Sequence, residues 1–148
     1  MARVLKPKYH VLMADDSEED CLLVERAFQK SERMRFLGRV SDGDEAIAYL
    51  KGDGKYADRE KFPFPDLLLL DLKMPGTDGF QVLKWLQTQS FPEMVVIVLS
   101  GSERGEDRAQ ALDLGAHSFQ TKQVDLANQL KMMNLFEQYL SGKDTGPS

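Results

Sequence analysis

Short, almost continuous apolar runs alternate along this chain with stretches in which apolar residues recur at helical spacing. The apolar runs cover residues 9–14, 34–40, 66–70, 94–100 and 116–121. Runs of this length, rich in leucine and β-branched residues, predict strands that are buried on both faces. The intervening helical patterns cover residues 17–31, 44–52, 80–86, 103–115 and 126–140.

Residues with known end preferences mark the boundaries of these elements. Ser17 and Asp125 precede helical patterns and are predicted to cap them, while Gly52 and Gly115 are predicted to end helices. The polar segment 54–65 predicts an irregular loop with a helical turn near Tyr56. Residues 141–148 predict a disordered tail.

The alternation of five strands with five helices predicts the fold class. Short connections between alternating elements imply a parallel sheet with right-handed crossovers and helices on both faces, an α/β doubly wound architecture. We expect one domain that uses residues 1–148, with its core at about residues 9–140.

Composition excludes several classes of partner. The 148 residues are 42% hydrophobic and carry a net charge of −5, so no basic surface for nucleic acid or an anionic membrane is expected. No apolar run approaches the length of a membrane span. Cys21 is the only cysteine, which excludes an intrachain disulfide and a thiolate metal cluster. We therefore expect a cytoplasmic protein.

Polar residues end four of the five predicted strands. These residues are Asp15, Asp16, Asp71, Ser100 with Gly101, and Lys122. The carboxyl ends of parallel strands lie at one edge of the sheet, where such folds bind their ligands.

The chemistry of these residues suits one task. Grouped aspartates repel each other, and a hard cation relieves that repulsion; oxygen ligands without histidine favour Mg²⁺. The Lys122 ammonium supplies a second positive charge, and the Ser100 hydroxyl can donate to an incoming oxygen. Together they can position a phosphoryl group during its transfer to an aspartate.

Four segments resemble the receiver domain of two-component response regulators. They are "ADDSEED", "LLLLDLKMPGTDGF", "VIVLSGS" and "DLGAHSFQTK", in this order along the chain. The resemblance implies a flavodoxin-like receiver fold with strand order 2-1-3-4-5.

The resemblance also implies roles for individual residues. Asp71 would be the phospho-acceptor, and Asp16, Asp71 and the backbone carbonyl of Lys73 would bind Mg²⁺, with Asp15 helping through a metal-bound water. Lys122 would pair with a phosphoryl oxygen.

A switch is implied as well. Ser100 would move to meet the phosphoryl group, and the rotamer of Phe119 would follow it. Gly101 would leave the acceptor accessible. The readout surface would be the face of the fourth helix, fifth strand and fifth helix.

The implied protein is a signalling protein, not an enzyme with its own substrate. Its partner would be a histidine kinase, and a downstream protein or phosphotransfer partner would read its state. The long loop 54–65 and the lack of an output domain resemble small single-domain regulators that are paired with phytochrome-type kinases. The apolar face of the last helix fits a homodimer contact as well as a core.

Two departures from the family pattern concern the aromatic switch residue and the loop after the fifth strand. Phe119 has no hydroxyl with which to form a hydrogen bond when exposed, so its preference for burial should be stronger than that of a tyrosine. The family usually has Lys-Pro after the fifth strand, whereas this chain has Lys122-Gln123, for which we expect a trans bond. This replacement supports a phosphate-independent interaction module. An Asp-nucleophile phosphohydrolase is the third interpretation, although Lys73 stands where such enzymes carry a second aspartate.

Overall fold

The computed structural model describes residues 9–91 and 93–145. Strands and helices alternate along this part of the chain. They are β1 Tyr9–Ala14, α1 Glu18–Phe28, β2 Met34–Val40, α2 Gly43–Lys51, β3 Leu67–Leu70, α3 Gly79–Leu86, β4 Val95–Ser100, α4 Gly105–Asp113, β5 Ser118–Thr121 and α5 Leu126–Thr145, with a 3-10 helix at Gly54–Ala57 between α2 and β3.

The strands form one parallel sheet in the order β2-β1-β3-β4-β5. This is the predicted order, and the doubly wound α/β prediction is confirmed. Ala14 pairs with Leu70 and Leu70 with Val98, so β4 and β5, which end at the pair Ser100 and Thr121, run two residues beyond β1 and β3 in the same direction. The residues that follow them are therefore brought to one edge.

The leucines of β3 contribute alternately to two cores. Leu68 and Leu70 pack with α2, α3 and α4 on one face, and Leu67 and Leu69 pack with α1 and α5 on the other. All four are fully buried, as a central parallel strand requires. The sheet can thus hold the end of β3 rigidly.

Residues that the sequence predicts to cap or end helices do so in the structure. The Ser17 Oγ accepts a hydrogen bond from the Asp20 N–H at 3.2 Å, and the Asp125 Oδ1 accepts one from the Asn128 N–H at 2.8 Å. Gly52 follows α2 with φ +73°, a left-handed conformation that glycine adopts without strain.

The loop between α2 and β3 is tied to the end of α2. The Arg59 guanidinium donates to the carbonyl oxygens of Tyr49 and Leu50, both at 2.9 Å, and to that of Phe62 at 3.2 Å. It thereby binds two carbonyls of the last turn of α2, where intrahelical donors are scarce, and one carbonyl of the loop. The helical turn predicted near Tyr56 is present as the 3-10 helix.

The prediction of a disordered tail from residue 141 is wrong for its first part. Helix α5 continues to Thr145, because Ser141 and Gly142 do not stop a helix, and the first strong stop signal is Gly146 followed by Pro147. Residues 146–148 of the predicted tail lie outside the described residues.

The apolar face of α5 serves mainly as core. Met133, Phe136 and Leu140 are buried, whereas Leu126 and Leu130 stay partly exposed at the start of the helix. Across residues 9–91 and 93–145, no helix is long and apolar enough to cross a membrane.

Candidate functional site

Backbone hydrogen bonds extend the sheet by one residue and so fix the candidate site. The Asp15 N–H donates to the Val40 carbonyl at 3.0 Å, and the Asp71 N–H donates to the Ala14 carbonyl at 2.9 Å. The Lys122 N–H donates to the Ser100 carbonyl at 2.8 Å. Each of these three polar residues is therefore held by the neighbouring strand rather than by a free loop.

The predicted acidic cluster forms. One carboxylate oxygen from each of Asp15, Asp16 and Asp71 lies within 4.8 Å of the others. Asp15 and Asp71 are buried, and Asp16 is exposed. The Asp15 Oδ2 atom is buried and accepts no hydrogen bond from the described residues. Its neighbour is the Lys122 ammonium, with which it forms an ion pair at 2.8 Å. A donor set made only of carboxylate oxygens, two of them from buried residues, fits a hard divalent cation.

Lys122 lies among the acids, as predicted. Its Nζ is 2.8 Å from Asp15 Oδ2, 2.7 Å from Asp20 Oδ2 and 3.5 Å from Asp71 Oδ2. The contact with Asp15 is an ion pair without hydrogen-bond geometry. Burial alone would lower the pKa of Lys122, but the contacts with Asp15 and Asp20 and the charge of Asp71 raise its pKa above the ordinary value. The lysine is therefore a permanent cation.

The charged form of the Asp71 carboxylate is destabilised by its surroundings. Burial, followed by the charge of Asp15, raises its pKa to about 6, against the lowering effects of Lys122 and the Lys73 backbone amide. The pKa remains below neutral pH, so most of the group is ionised there and can act as a nucleophile. The ionised carboxylate therefore lowers the stability of the metal-free protein.

Ser100 ends β4 and is buried. Its Oγ accepts a hydrogen bond from the Ser102 N–H at 3.1 Å, and the Ser102 Oγ donates to Asp107 Oδ2 at 2.6 Å. These bonds connect the end of β4 to the first turn of α4. A Cβ built on Gly101 would meet no heavy atom within 4 Å, so the space beside the site is open there.

Phe119 is buried, which agrees with the expected preference of a side chain without a hydroxyl. The Arg108 guanidinium lies 5.9 Å from the centre of its ring, and the Arg108 Nη1 donates to the Phe119 carbonyl at 3.2 Å. Helix α4 is thereby attached to β5 over the Phe119 ring.

The loop after β5 is stabilised without a proline. The described residues contain no cis peptide bond, so the trans prediction for Lys122-Gln123 is confirmed. The Gln123 carbonyl accepts from Gln129 Nε2 at 3.0 Å, and Gln123 Nε2 donates to the Thr121 carbonyl at 3.2 Å. Gln129 is buried. With this loop, Lys122 still reaches the acids.

The sequence analysis missed two residues of the site. Asp20 contacts Lys122 from the first turn of α1. Gly79 begins α3 against the back of the acceptor, where an added Cβ would collide with the Asp71 carbonyl oxygen. Asp78 caps the N-terminus of α3, with its Oδ1 accepting from the Gln81 N–H at 2.9 Å, and a glycine directly after such a cap signals a close approach.

Comparison with known proteins agrees with this geometry. The family model of the response regulator receiver domain matches residues 11–134. The response regulator Rcp1 of Synechocystis sp. strain PCC 6803 is 31% identical over 134 residues, which cover 90% of this chain and 89% of that protein.

Solved structures give the same result. The phosphorylated cyanobacterial phytochrome response regulator RcpA superposes with a TM-score of 0.78 at 30% identity, covering 95% of this chain and 99% of that one. The Mn²⁺-bound form of Rcp1 superposes with a TM-score of 0.72 at 30% identity, covering 88% of this chain and 93% of that one. The chain is similar to small regulators of phytochrome signalling, and it belongs to the response regulator receiver domain family.

Proposed function

We propose that this receiver accepts a phosphoryl group on Asp71 from the phosphohistidine of a histidine kinase. The observation that carries the proposal is the position of the Asp71 carboxylate, which lies within 4.8 Å of the acids that follow β1 and 3.5 Å from the ammonium of Lys122. The similarity to Rcp1 and RcpA supports a phytochrome-type kinase as the donor.

In the proposed reaction, one Asp71 carboxylate oxygen attacks the phosphorus in line with the leaving nitrogen. An O–P bond forms as the N–P bond breaks, and the kinase imidazole takes the electron pair and later a proton. The Lys122 ammonium pairs with a phosphoryl oxygen and offsets the charge that gathers there. Gly101 leaves the donor room to approach.

Asp16, Asp71 and the Lys73 carbonyl would hold Mg²⁺, with Asp15 acting through a water. Bound there, Mg²⁺ would neutralise charge on the phosphoryl oxygens and remove the repulsion between Asp15 and Asp71. The related Rcp1 has a Mn²⁺-bound form, which supports a divalent cation in this family. Mg²⁺ is our proposal on the basis of the oxygen-only ligands.

The proposed switch begins at Ser100. When the Ser100 side chain moves so that its hydroxyl donates to a phosphoryl oxygen, its Oγ would leave the Ser102 N–H from which it now accepts, and the space it vacates would admit the Phe119 ring. The surface of α4, β5 and α5 would then present a different face to a downstream protein or phosphotransfer partner. A homodimer through the exposed start of α5 and a cytoplasmic location remain predictions.

The test is intact-mass spectrometry after incubation with Mg²⁺ and acetyl phosphate, with Asp71→Asn as the control. We expect one added phosphoryl group on the wild type and none on the control. A folded wild type that gains no phosphoryl group from any small donor would contradict the proposal and favour the phosphate-independent interaction module.

A further inference from the structure

The Lys122 ammonium lies closer to Asp20 than to the proposed acceptor. Its Nζ is 2.7 Å from Asp20 Oδ2 and 3.5 Å from Asp71 Oδ2. Asp20 lies outside the cluster of Asp15, Asp16 and Asp71 that could hold a metal ion. Its contact with Lys122 joins the first turn of α1 to the end of β5, across 102 positions of the chain.

Asp20 is well placed to hold this contact. Its backbone N–H donates to the capping Ser17 Oγ at 3.2 Å, which fixes the residue on the first helical turn. The aspartate side chain is short and loses little freedom when it is paired. The Lys122 side chain is 19% exposed and that of Asp20 is 36% exposed, so solvent screens the pair only in part.

We propose that Asp20 is a positioning residue that competes with the phosphoryl group for Lys122. The inference rests on the proposed function, in which Lys122 pairs with a phosphoryl oxygen on Asp71. To make that pair, Nζ must leave Asp20 or share its hydrogens with it. Asp20 thus sets how readily the receiver enters the phosphorylated state, without binding the phosphoryl group or the metal itself.

Charge counting gives the direction of the effect. Three carboxylates, those of Asp15, Asp20 and Asp71, lie within 3.5 Å of the one ammonium. Asp20→Asn keeps the shape of the side chain but removes its charge, so Lys122 loses one of its two nearest anions and keeps the other, the buried Asp15 at 2.8 Å. The bound phosphoryl group, or an analogue of it, should then be held more tightly.

Beryllium trifluoride, which mimics a phosphoryl group on aspartate, allows the affinity to be measured without turnover. Isothermal titration with BeF₃⁻ in excess Mg²⁺ would compare the wild type with Asp20→Asn, Asp20→Glu and Glu19→Gln. Glu19 is exposed on the same helical turn, so its variant has the same change of charge without the contact. Thermal unfolding would establish that all variants are folded.

For Asp20→Asn we expect an affinity about two- to fivefold higher than the wild type, the size typical of partly exposed ion pairs. Glu19→Gln should change it by less than about 1.5-fold, and Asp20→Glu, which keeps the charge, should stay near the wild type. Equal effects of Asp20→Asn and Glu19→Gln, or a lower affinity in Asp20→Asn, would overturn the inference. So would equal values for Asp20→Glu and Asp20→Asn. A wild type that binds no BeF₃⁻ would instead contradict the proposed function.

Discussion

The Lys122 Nζ lies 3.5 Å from the Asp71 Oδ2 although 51 residues separate the two in sequence. Asp71 follows β3 and Lys122 follows β5, so the lysine reaches across the end of β4, the strand between them. That strand ends in Ser100. The Ser100 hydroxyl, the proposed switch group, therefore lies at the end of the strand between Asp71 and Lys122. From there it can contact a group added to Asp71.

Replacing Asp71 by Asn should stabilise the metal-free protein. At pH 7.5 with EDTA, we expect the free energy of unfolding to rise by about 1–3 kcal/mol, because a buried carboxylate beside Asp15 is removed. Urea denaturation measures the change. Glu103→Gln, an exposed control, should have little effect, and a lower urea midpoint for Asp71→Asn would contradict the account.

The pH dependence of that difference follows from the sign of the pKa shift. Burial and then Asp15 raise the pKa of Asp71 from 3.8 to about 6 in the folded protein, so the folded state binds the proton more tightly. The destabilisation by the ionised group is fully present above about pH 6 and disappears as the pH falls through that pKa towards 3.8. Urea midpoints of the two proteins should therefore converge by pH 4. A gap that stays constant with pH would contradict this origin.

Asp16→Ala should remove metal-dependent phosphorylation and leave the fold intact, because Asp16 is exposed. Loss of a direct ligand should raise the Mg²⁺ concentration needed for half-maximal labelling by at least about tenfold, since even outer partners of metal ligands contribute that much. A Mg²⁺ titration of acetyl phosphate labelling measures it. Glu18→Gln is the control on the next helix, and unchanged labelling of Asp16→Ala at low Mg²⁺ would refute the ligand assignment.

Gly79→Ala should disturb the acceptor from behind. The new methyl group would collide with the Asp71 carbonyl oxygen, and the backbone at Leu72 leaves it no room. We expect a loss of about 1–3 kcal/mol in stability and slower labelling of Asp71. Gly105→Ala is the matched control, because the space around Gly105 at the start of α4 is open. Equal stability of the two variants would show that the close approach is unimportant.

Arg108→Met should weaken the attachment of α4 to β5. It removes the guanidinium over the Phe119 ring and the bond to the Phe119 carbonyl, which together contribute about 1 kcal/mol. Arg104→Met loses only an exposed ion pair with Glu106 and should cost less than about 0.5 kcal/mol. Urea denaturation measures the loss of stability in each variant. An equal loss in Arg108→Met and Arg104→Met would show that the contacts of Arg108 with Phe119 have no specific effect.

Local chemistry explains what could be predicted from the sequence. The leucines of β3 predict a buried strand wherever they occur, and Ser17, Gly52 and Asp125 act on backbone groups within a few residues. The strand-end acids could be placed together because parallel strands share a carboxyl edge.

Other features depend on distances that no local pattern contains. The Asp20–Lys122 pair joins residues far apart in sequence, and an acid in a first helical turn is explained equally well by the helix dipole. The collision that makes Gly79 necessary involves the carbonyl of Asp71, whose direction depends on the turn between β3 and α3. The length of α5 was misjudged because Gly142 weakens a helix without ending it.

The central claim, that Asp71 carries the phosphoryl group, is tested most directly by peptide mapping. Borohydride reduces an aspartyl phosphate to homoserine, and trypsin separates the peptide with Asp71, residues 62–73, from the peptide 9–26 with Asp15, Asp16 and Asp20. After labelling with acetyl phosphate, fragment spectra should place homoserine at position 71. Homoserine in the 9–26 peptide, or at Asp66, with position 71 unmodified would contradict the account.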